Sequence, residues 1–301
     1  MAENDIILNR EHEKRTAALS SIIAAVLLVA MKIGVGIWTG SLGILAEAAH
    51  SGLDLAAAFM TFLAVRISDR PADKSHLYGH GKVENLSAFI ETILLMVTCI
   101  WIVYEAVNRL FFKTVELEVT VWAFAVMGVS IIVDFSRSRV LYRAAKKYNS
   151  QALEADALHF STDIWSSAVV ILGLILVKLS EVFPGLQFLK TADAVAAVAV
   201  ALIVVFVSIR LGIRTVHALT DAAPKGVMEQ IVKEVESIND VVDCHNVRIR
   251  HSGPHLFIDV HILVDGKKSL NDVHKLTDEI EKKLAEKIPE VDVTVHPEPR
   301  P

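Results

Sequence analysis

Two short segments of the chain repeat one pattern: an acid, a histidine three residues later, and a second acid four residues after that. In a helix, positions separated by three, four and seven residues share one face, so each copy directs two carboxylates and an imidazole the same way. Both copies lie in long apolar segments, where an ionisable residue is costly and by default indicates a functional site. The copies are Glu47, His50 and Asp54 in the first segment and Asp156, His159 and Asp163 in the second.

Four of these six residues make a complete ligand set for one metal ion. Two imidazoles and two carboxylates fill a tetrahedral shell, which suits Zn²⁺ without requiring thiolates. The alternative is that each pair only forms hydrogen bonds between helices, but four convergent ionisable groups at membrane depth are expensive for that role. We therefore predict a metal site formed by His50, Asp54, His159 and Asp163.

The outer acids of the pattern, Glu47 and Asp156, lie on the same faces but toward opposite ends of the predicted site. Two interpretations remain open for them. They are entrance and exit carboxylates of the site, or they pair with other residues near the membrane interfaces.

A second group of candidate ligands lies in the polar connection that follows the first copy. Asp73, His76 and His80 can supply three ligands and leave a fourth position open. The alternative is a solvated loop whose histidines merely contact the next helix, because exposed loops are rich in such groups.

A third group is spread over the C-terminal part of the chain. His245 and His261 fall on neighbouring predicted strands, His274 falls on a predicted helix, and His296 ends the last strand two residues before Glu298. One interpretation is a binuclear site in which a carboxylate bridges two metals. The other is a set of ordinary surface histidines, since scattered histidine is weak evidence for a site.

The composition predicts the membrane setting of these residues. Hydrophobic residues make up 53% of 301 residues and the mean hydropathy is +0.46, so apolar runs of about twenty residues predict membrane spans. A net charge of −5 without a basic face gives no sign of nucleic-acid binding. Two cysteines allow neither a disulfide framework nor a CxxC zinc site. The six predicted spans are 16–37, 42–65, 86–110, 119–141, 153–177 and 192–211.

Lysine and arginine predict the orientation of these spans. They collect before the first span and in the connections after spans two and four, which places both termini in the cytoplasm by the positive-inside rule. The polar start lacks the features of a secretory signal, so the first apolar segment is predicted to be a retained span. Span two then runs inward and span five outward, so the two repeated faces are antiparallel if they pack together.

The chain becomes polar after residue 214. Helical periodicity at 225–238 and 269–288, with alternation at 245–250, 255–264 and 291–296, predicts an α-β-β-α-β sandwich. The predicted fold is thus an α-helical membrane protein with six transmembrane helices followed by a small cytoplasmic α+β domain. Its parts are a cytoplasmic N-terminal segment at 1–15, the six-helix transmembrane domain at 16–214 and the cytoplasmic metal-binding domain at 215–301.

Three motifs together resemble those of the cation diffusion facilitator family, particularly its bacterial zinc-exporting members. They are the paired HxxxD motifs, the loop that runs from Asp73 to Lys82, and the stretch from Arg250 to Pro254. The resemblance covers nearly the whole chain. It implies six transmembrane helices, a cytoplasmic metallochaperone-like domain, a homodimer and proton-coupled metal export.

The resemblance also implies roles for individual residues. It expects an ion pair between Lys82 and Asp221 at the dimer junction. Some relatives carry Asp where this chain has His50, a choice associated with broader metal acceptance, so His50 favours zinc. Relatives carry a bridging Asp at the position of Glu298, two residues after the last histidine. The glutamate here leaves open how many metal ions the cytoplasmic site binds. The implied ligands are His50, Asp54, His159 and Asp163 for transport, Asp73, His76 and His80 in the loop, and His245, His261, His274 and His296 in the cytoplasmic domain.

We therefore predict a homodimeric Zn²⁺/H⁺ antiporter, not an enzyme, that exports zinc across a bacterial inner membrane. Its partners are the divalent ion, protons and the lipid bilayer, and Zn²⁺ is both transported and regulatory. Histidine must be neutral to bind a metal, so metal loading releases protons. The alternatives are an exporter of Fe²⁺, Mn²⁺, Co²⁺ or Cd²⁺, a membrane-tethered metal sensor, and an intramembrane metalloenzyme. The chain contains no HExxH motif, which argues against the metalloenzyme.

Overall fold

A computed structural model shows six long helices followed by a small α/β domain. It describes residues 2–111, 121–182, 192–223, 226–288 and 290–300. The long helices are α1 (Ala2–Thr39), α2 (Leu42–Ser68), α3 (Lys82–Phe111), α4 (Val121–Tyr148), α5 (Gln151–Val182) and α6 (Ala192–Leu219).

These helices extend beyond the apolar segments predicted from the sequence. The predicted N-terminal segment at 1–15 is helical from Ala2 and continuous with the first apolar segment. Within the described residues, α1, α2, α3 and α6 each contain a stretch long and apolar enough to cross a membrane. The described parts of α4 and α5 carry several acids and arginines. Two predicted boundaries, Val119 and Lys225, lie outside the described residues.

A tight turn joins α1 to α2 and makes them an antiparallel pair. Gly40 adopts a φ of 67°, a conformation that glycine reaches without a Cβ clash. Ser41 then caps α2, since its hydroxyl accepts a hydrogen bond from the Ile44 amide at 3.4 Å.

The repeated faces of α2 and α5 pack against each other in antiparallel fashion, as expected. Asp54 of α2 contacts His159 of α5 at 3.1 Å. Farther along, Ser68 at the end of α2 and Ser150 just before α5 both donate hydrogen bonds to Glu84 of α3. Small and apolar side chains fill the space between α1, α2, α4 and α5, among them Ala18, Ala58, Val65, Leu141, Leu153, Ala157 and Phe160.

The C-terminal domain has the predicted α-β-β-α-β order. It comprises α7 (Val227–Glu236), β1 (Asp243–Ser252), β2 (His255–Val264), α8 (Leu270–Lys287) and β3 (Val291–Pro299). Strand β2 lies in the centre, antiparallel to β1 and parallel to β3. Both helices pack on the sheet through buried side chains that include Ile231, Val235, Ile258, Ile262 and Ile280.

The C-terminal domain docks on one end of the helical bundle. The turn at Ser252 and Gly253 lies against Gly81, so close that a Cβ on Gly81 would stand 2.1 Å from the Ser252 carbonyl oxygen. The Gly253 amide donates to Asn85 Oδ1 at 3.1 Å. On the N-terminal side, Arg10 of α1 forms an ion pair with Glu290.

The same end of the bundle contains a buried charge cluster that we call the end cluster, formed by Lys14, Ser68, Asp69, Glu84 and Ser150. Lys14 and Glu84 are fully buried. The Lys14 ammonium lies 2.6 Å from Asp69 and 2.9 Å from Glu84. One cation thus links α1 to α2 and α3.

Candidate metal centres

The transport cluster, defined as His50, Asp54, His159 and Asp163, lies between α2 and α5. Each helix contributes one histidine and one aspartate at positions i and i+4. These two positions lie on the same face of a helix, because four residues make slightly more than one turn. Asp54 and His159 are each 8% exposed, whereas the His50 side chain retains 44% of its surface. The structure therefore brings together all four residues that the sequence singled out.

The spacing within the transport cluster fits the size of a tetrahedral zinc shell. His159 Nε2 lies 3.1 Å from Asp54 Oδ1 and 3.7 Å from Asp163 Oδ2. His50 Nε2 lies 4.0 Å from Asp54 Oδ1 and 4.0 Å from Asp163 Oδ1. Zinc with ligands at 2.0–2.1 Å separates neighbouring ligand atoms by about 3.3 Å. His50, Asp54 and Asp163 offer ligand atoms that all lie within 4.8 Å of one another, and His159 contacts both aspartates, so side-chain movements could close the four groups around one ion.

The two outer acids of the repeated pattern have different surroundings. Glu47 pairs with Lys32 of α1 at 3.3 Å, and the same ammonium donates to Ser51 at 2.8 Å. This contact supports the interpretation of Glu47 as a partnered residue. Asp156 is 1% exposed, and the charge of Arg137 acts on it.

The loop cluster, defined as Asp73, His76 and His80, is also assembled. Asp73 lies 3.5 Å from His76 Nδ1 and 3.4 Å from His80 Nε2, and the two imidazole rings are 4.3 Å apart. Asp73 Oδ1 accepts the amides of Ser75 at 2.8 Å and His76 at 2.7 Å. These backbone hydrogen bonds lower the pKa of Asp73 below its ordinary value, so Asp73 stays ionised and Oδ2 can serve as the ligand oxygen.

Sheet register brings together the cytoplasmic cluster, which we define as His245, His261, His296 and Glu298. His245 pairs with His261 across β1 and β2, and His261 pairs with His296 across β2 and β3. Glu298 follows His296 by two residues and returns to the same face. Its carboxylate lies 2.7 Å from His261 Nδ1, 3.5 Å from His245 Nε2 and 3.9 Å from His296 Nε2.

The carboxylate of Glu298 is central to this cluster. The hydrogen bond with His261 lowers the pKa of Glu298, and the nearby charges of His245 and His296 act in the same direction. Asp243 contacts His245 Nδ1 at 2.8 Å and leaves its Nε2 facing Glu298, an orienting contact of the kind found around metal-binding histidines.

His274 is not brought into the cytoplasmic cluster within one chain. It lies on α8 with 73% of its side chain exposed, and its Nδ1 is 3.9 Å from Asp278. Its assignment as a ligand stays a prediction.

The expected pair between Lys82 and Asp221 is present at 2.8 Å within one chain. Both side chains are more than 40% exposed, so solvent screens the pair and its contribution to stability is small. Its position, beside the contact between Gly81 and the C-terminal domain, makes it part of the junction between the two domains.

Comparison with known proteins identifies the family. The family model described as cation efflux transmembrane domain matches residues 18–220, and the model described as cation efflux protein, cytoplasmic domain, matches residues 223–300. The chain belongs to the cation efflux, or cation diffusion facilitator, family. It is therefore a multi-pass membrane transporter with a C-terminal cytoplasmic domain.

Curated relatives of this cation efflux protein match along almost their whole length. The Cation-efflux pump FieF of Yersinia enterocolitica is 31% identical over 290 residues, which cover 95% of this chain and 92% of the relative. The Cation-efflux pump FieF of Serratia proteamaculans is 30% identical with the same coverage. A solved structure, the metal-bound C-terminal domain of the CzcD transporter from Thermotoga maritima, is 36% identical over 25% of this chain and 94% of that one, with a TM-score of 0.23.

Sequence reasoning missed two features around these sites. Asp243 was not identified, although its position two residues before His245 in a strand places both side chains on one face. The pairing of Lys14 with Asp69 and Glu84 was also missed, because nothing in the sequence shows which distant acids meet a given lysine.

Proposed function

We propose that this cation efflux protein is a homodimeric Zn²⁺/H⁺ antiporter that exports zinc from the cytoplasm through six membrane-spanning helices. The observation that carries the proposal is the meeting of His50, Asp54, His159 and Asp163 between α2 and α5 at separations of 3.1–4.0 Å. Nitrogen and oxygen ligands in this number and geometry suit Zn²⁺.

The same four groups give a physical basis for coupling to protons. A histidine with an ordinary pKa of about 6.5 releases its proton when a metal binds and takes one when the metal leaves. Alternating access to the two sides of the membrane then exchanges metal for protons. The two histidines of the transport cluster are the groups that would carry them.

The contacts of the cytoplasmic domain support an orientation. The domain touches the bundle at Gly81 and Arg10, so the bundle end that contains the end cluster faces the cytoplasm. Helix α1 begins at this end, which supports a cytoplasmic location for both termini. The bacterial relatives support the inner membrane as the location.

Metal selectivity is tested by competition between Zn²⁺, Cd²⁺, Fe²⁺ and Mn²⁺ for flux into proteoliposomes. We expect the parent to favour Zn²⁺ and His50→Asp to shift preference toward Fe²⁺ and Mn²⁺, because a carboxylate is a harder ligand than an imidazole. The ratio should change by at least roughly tenfold, since even substitutions of the outer partners of metal ligands alter affinity on that scale.

A matched control is His12→Asp, which makes the same replacement at an exposed position of α1 and should leave the preference unchanged. If the parent protein prefers another of these ions, that ion and not zinc is its substrate. Equal preferences in the parent and His50→Asp would remove the argument that His50 selects zinc.

We also propose that the cytoplasmic cluster senses zinc. Metal bound by His245, His261, His296 and Glu298 would favour one arrangement of the domains and bias the membrane part, which requires two states of different metal affinity. The loop cluster at Asp73, His76 and His80 and the exposed His274 are proposed as further ligands. Transport by a His245→Ala/His261→Ala variant that kept the zinc dependence of the parent would argue against this regulation.

A further inference from the structure

A second group of buried polar residues lies between the transport cluster and the end cluster. We call it the middle tier, and it consists of Thr61 on α2, Glu91 on α3 and Asp156 on α5. These residues are 0%, 2% and 1% exposed, respectively. The Oε1 of Glu91 accepts a hydrogen bond from the Thr61 hydroxyl.

Helix geometry places the three residues at one level of the bundle. Ser68, Glu84 and Ser150 meet in the end cluster. Thr61 lies two helical turns before Ser68, and Glu91 lies two turns after Glu84. Asp156 lies nearly two turns after Ser150, so all three are about 10 Å from the end cluster.

The packing of α3 against α5 brings the two acids of the middle tier toward each other. Ala88, one turn before Glu91, and Ala155, next to Asp156, belong to one buried cluster. The charge of Asp156 acts on Glu91. The middle tier thus lies between the cytoplasmic end of the bundle and the transport-cluster residues Asp54 and His159.

The oxygens of the middle tier have unused capacity to bind. In the described part of the chain, no hydrogen-bond donor is aligned with Glu91 Oε2. Asp156 has Ser21 as a hydrogen-bonding neighbour, and the charge of Arg137 acts on it, although Arg137 also pairs with Asp134 at 3.2 Å. A buried carboxylate oxygen without a donor is costly, and a cation held by Glu91 and Asp156 would compensate it.

We propose that Thr61, Glu91 and Asp156 form a second, weaker site for the divalent cation on its way from the cytoplasm to the transport cluster. This proposal rests on the transport function proposed above. Two carboxylates and a hydroxyl offer only oxygen ligands, which bind Zn²⁺-like ions less tightly than a set with imidazoles. A transit site must bind strongly enough to admit the ion and weakly enough to release it.

The test is the dependence of initial flux on metal concentration at the cytoplasmic face, in everted membrane vesicles, with the ion that the parent transports fastest. Glu91→Gln keeps the shape and the acceptor for Thr61 but removes the charge. The half-saturating concentration should rise by at least about tenfold, because the variant removes a charged ligand of the ion in the middle tier, and even the loss of an outer partner of a metal ligand changes affinity by that factor. Asp156→Asn should act in the same direction.

Glu13→Gln is the matched control, because Glu13 is an exposed acid on α1 that pairs with Lys147. Its half-saturating concentration should equal that of the parent. A Glu91→Gln variant with the half-saturating concentration of the parent would overturn the proposal, and so would a change only in the number of protons exchanged per metal. A rise found only together with a lower melting temperature would assign Glu91 a structural role instead. A parent without metal flux would reject the transport function itself.

Discussion

Replacing Lys14 with methionine is expected to destabilise the protein by about 3–5 kcal/mol, the usual effect of removing one partner from a buried ion pair. Lys14 is fully buried, and its ammonium compensates Asp69 at 2.6 Å and Glu84 at 2.9 Å. Methionine fills the space of the side chain but leaves Glu84 without its cationic partner and Asp69 with only Arg15, at 3.4 Å. The midpoint of thermal unfolding of the detergent-solubilised protein measures the loss.

Two further variants separate this effect from a general loss of surface charge. Lys147→Met removes a lysine whose partner Glu13 is exposed, so its unfolding midpoint should stay close to that of the parent. Adding Glu84→Gln to Lys14→Met should recover part of the stability, because one uncompensated charge disappears. An unfolding midpoint of Lys14→Met equal to that of Lys147→Met would contradict the assigned role of the end cluster.

Gly81→Ala is expected to displace the cytoplasmic domain from the bundle. The new Cβ would stand 2.1 Å from the Ser252 carbonyl oxygen and 2.9 Å from the Gly253 amide nitrogen. Because both contacts are with backbone, no change of rotamer can relieve them, and the two domains must separate. The contact of Arg250 over the Tyr78 ring, 3.5 Å from its centroid, and the hydrogen bond from Gly253 to Asn85 would be lost with it.

Hydrogen exchange of the segment 77–85 measures this displacement. We expect faster exchange in Gly81→Ala and reduced transport, since motion of the cytoplasmic domain would no longer reach the bundle. Gly128→Ala is a suitable control, because a Cβ at that position meets nothing within 4 Å and should leave both measurements unchanged. Protection of 77–85 equal to that of the parent would show that the domains do not rely on this contact.

The proximity of the transport residues was predictable because helical periodicity decides which side chains share a face. Two copies of HxxxD on apolar helices need only one packing event to meet. The order of elements in the cytoplasmic domain followed equally from local patterns. The capping of α8 by Ser269, whose hydroxyl accepts the Asp272 amide at 3.2 Å, is likewise a local interaction.

What the sequence could not provide were contacts that depend on the relative placement of distant elements. Alternation puts His245, His261 and His296 on strands, but only the register decides that they stand side by side. The approach of Gly81 to Ser252 depends on how the two domains dock. The proximity of Glu91 to Asp156 is a third such contact, because it follows from the packing of α3 on α5.

The most direct test of the central claim is zinc uptake into proteoliposomes that contain the purified protein, with a pH indicator in the lumen. With an acidic lumen, we predict faster Zn²⁺ uptake than without a gradient, together with a rise in lumenal pH as zinc enters. Asp163→Asn should show neither. Zinc uptake at one rate with and without the gradient, or uptake without any change in lumenal pH, would contradict Zn²⁺/H⁺ antiport through the transport cluster.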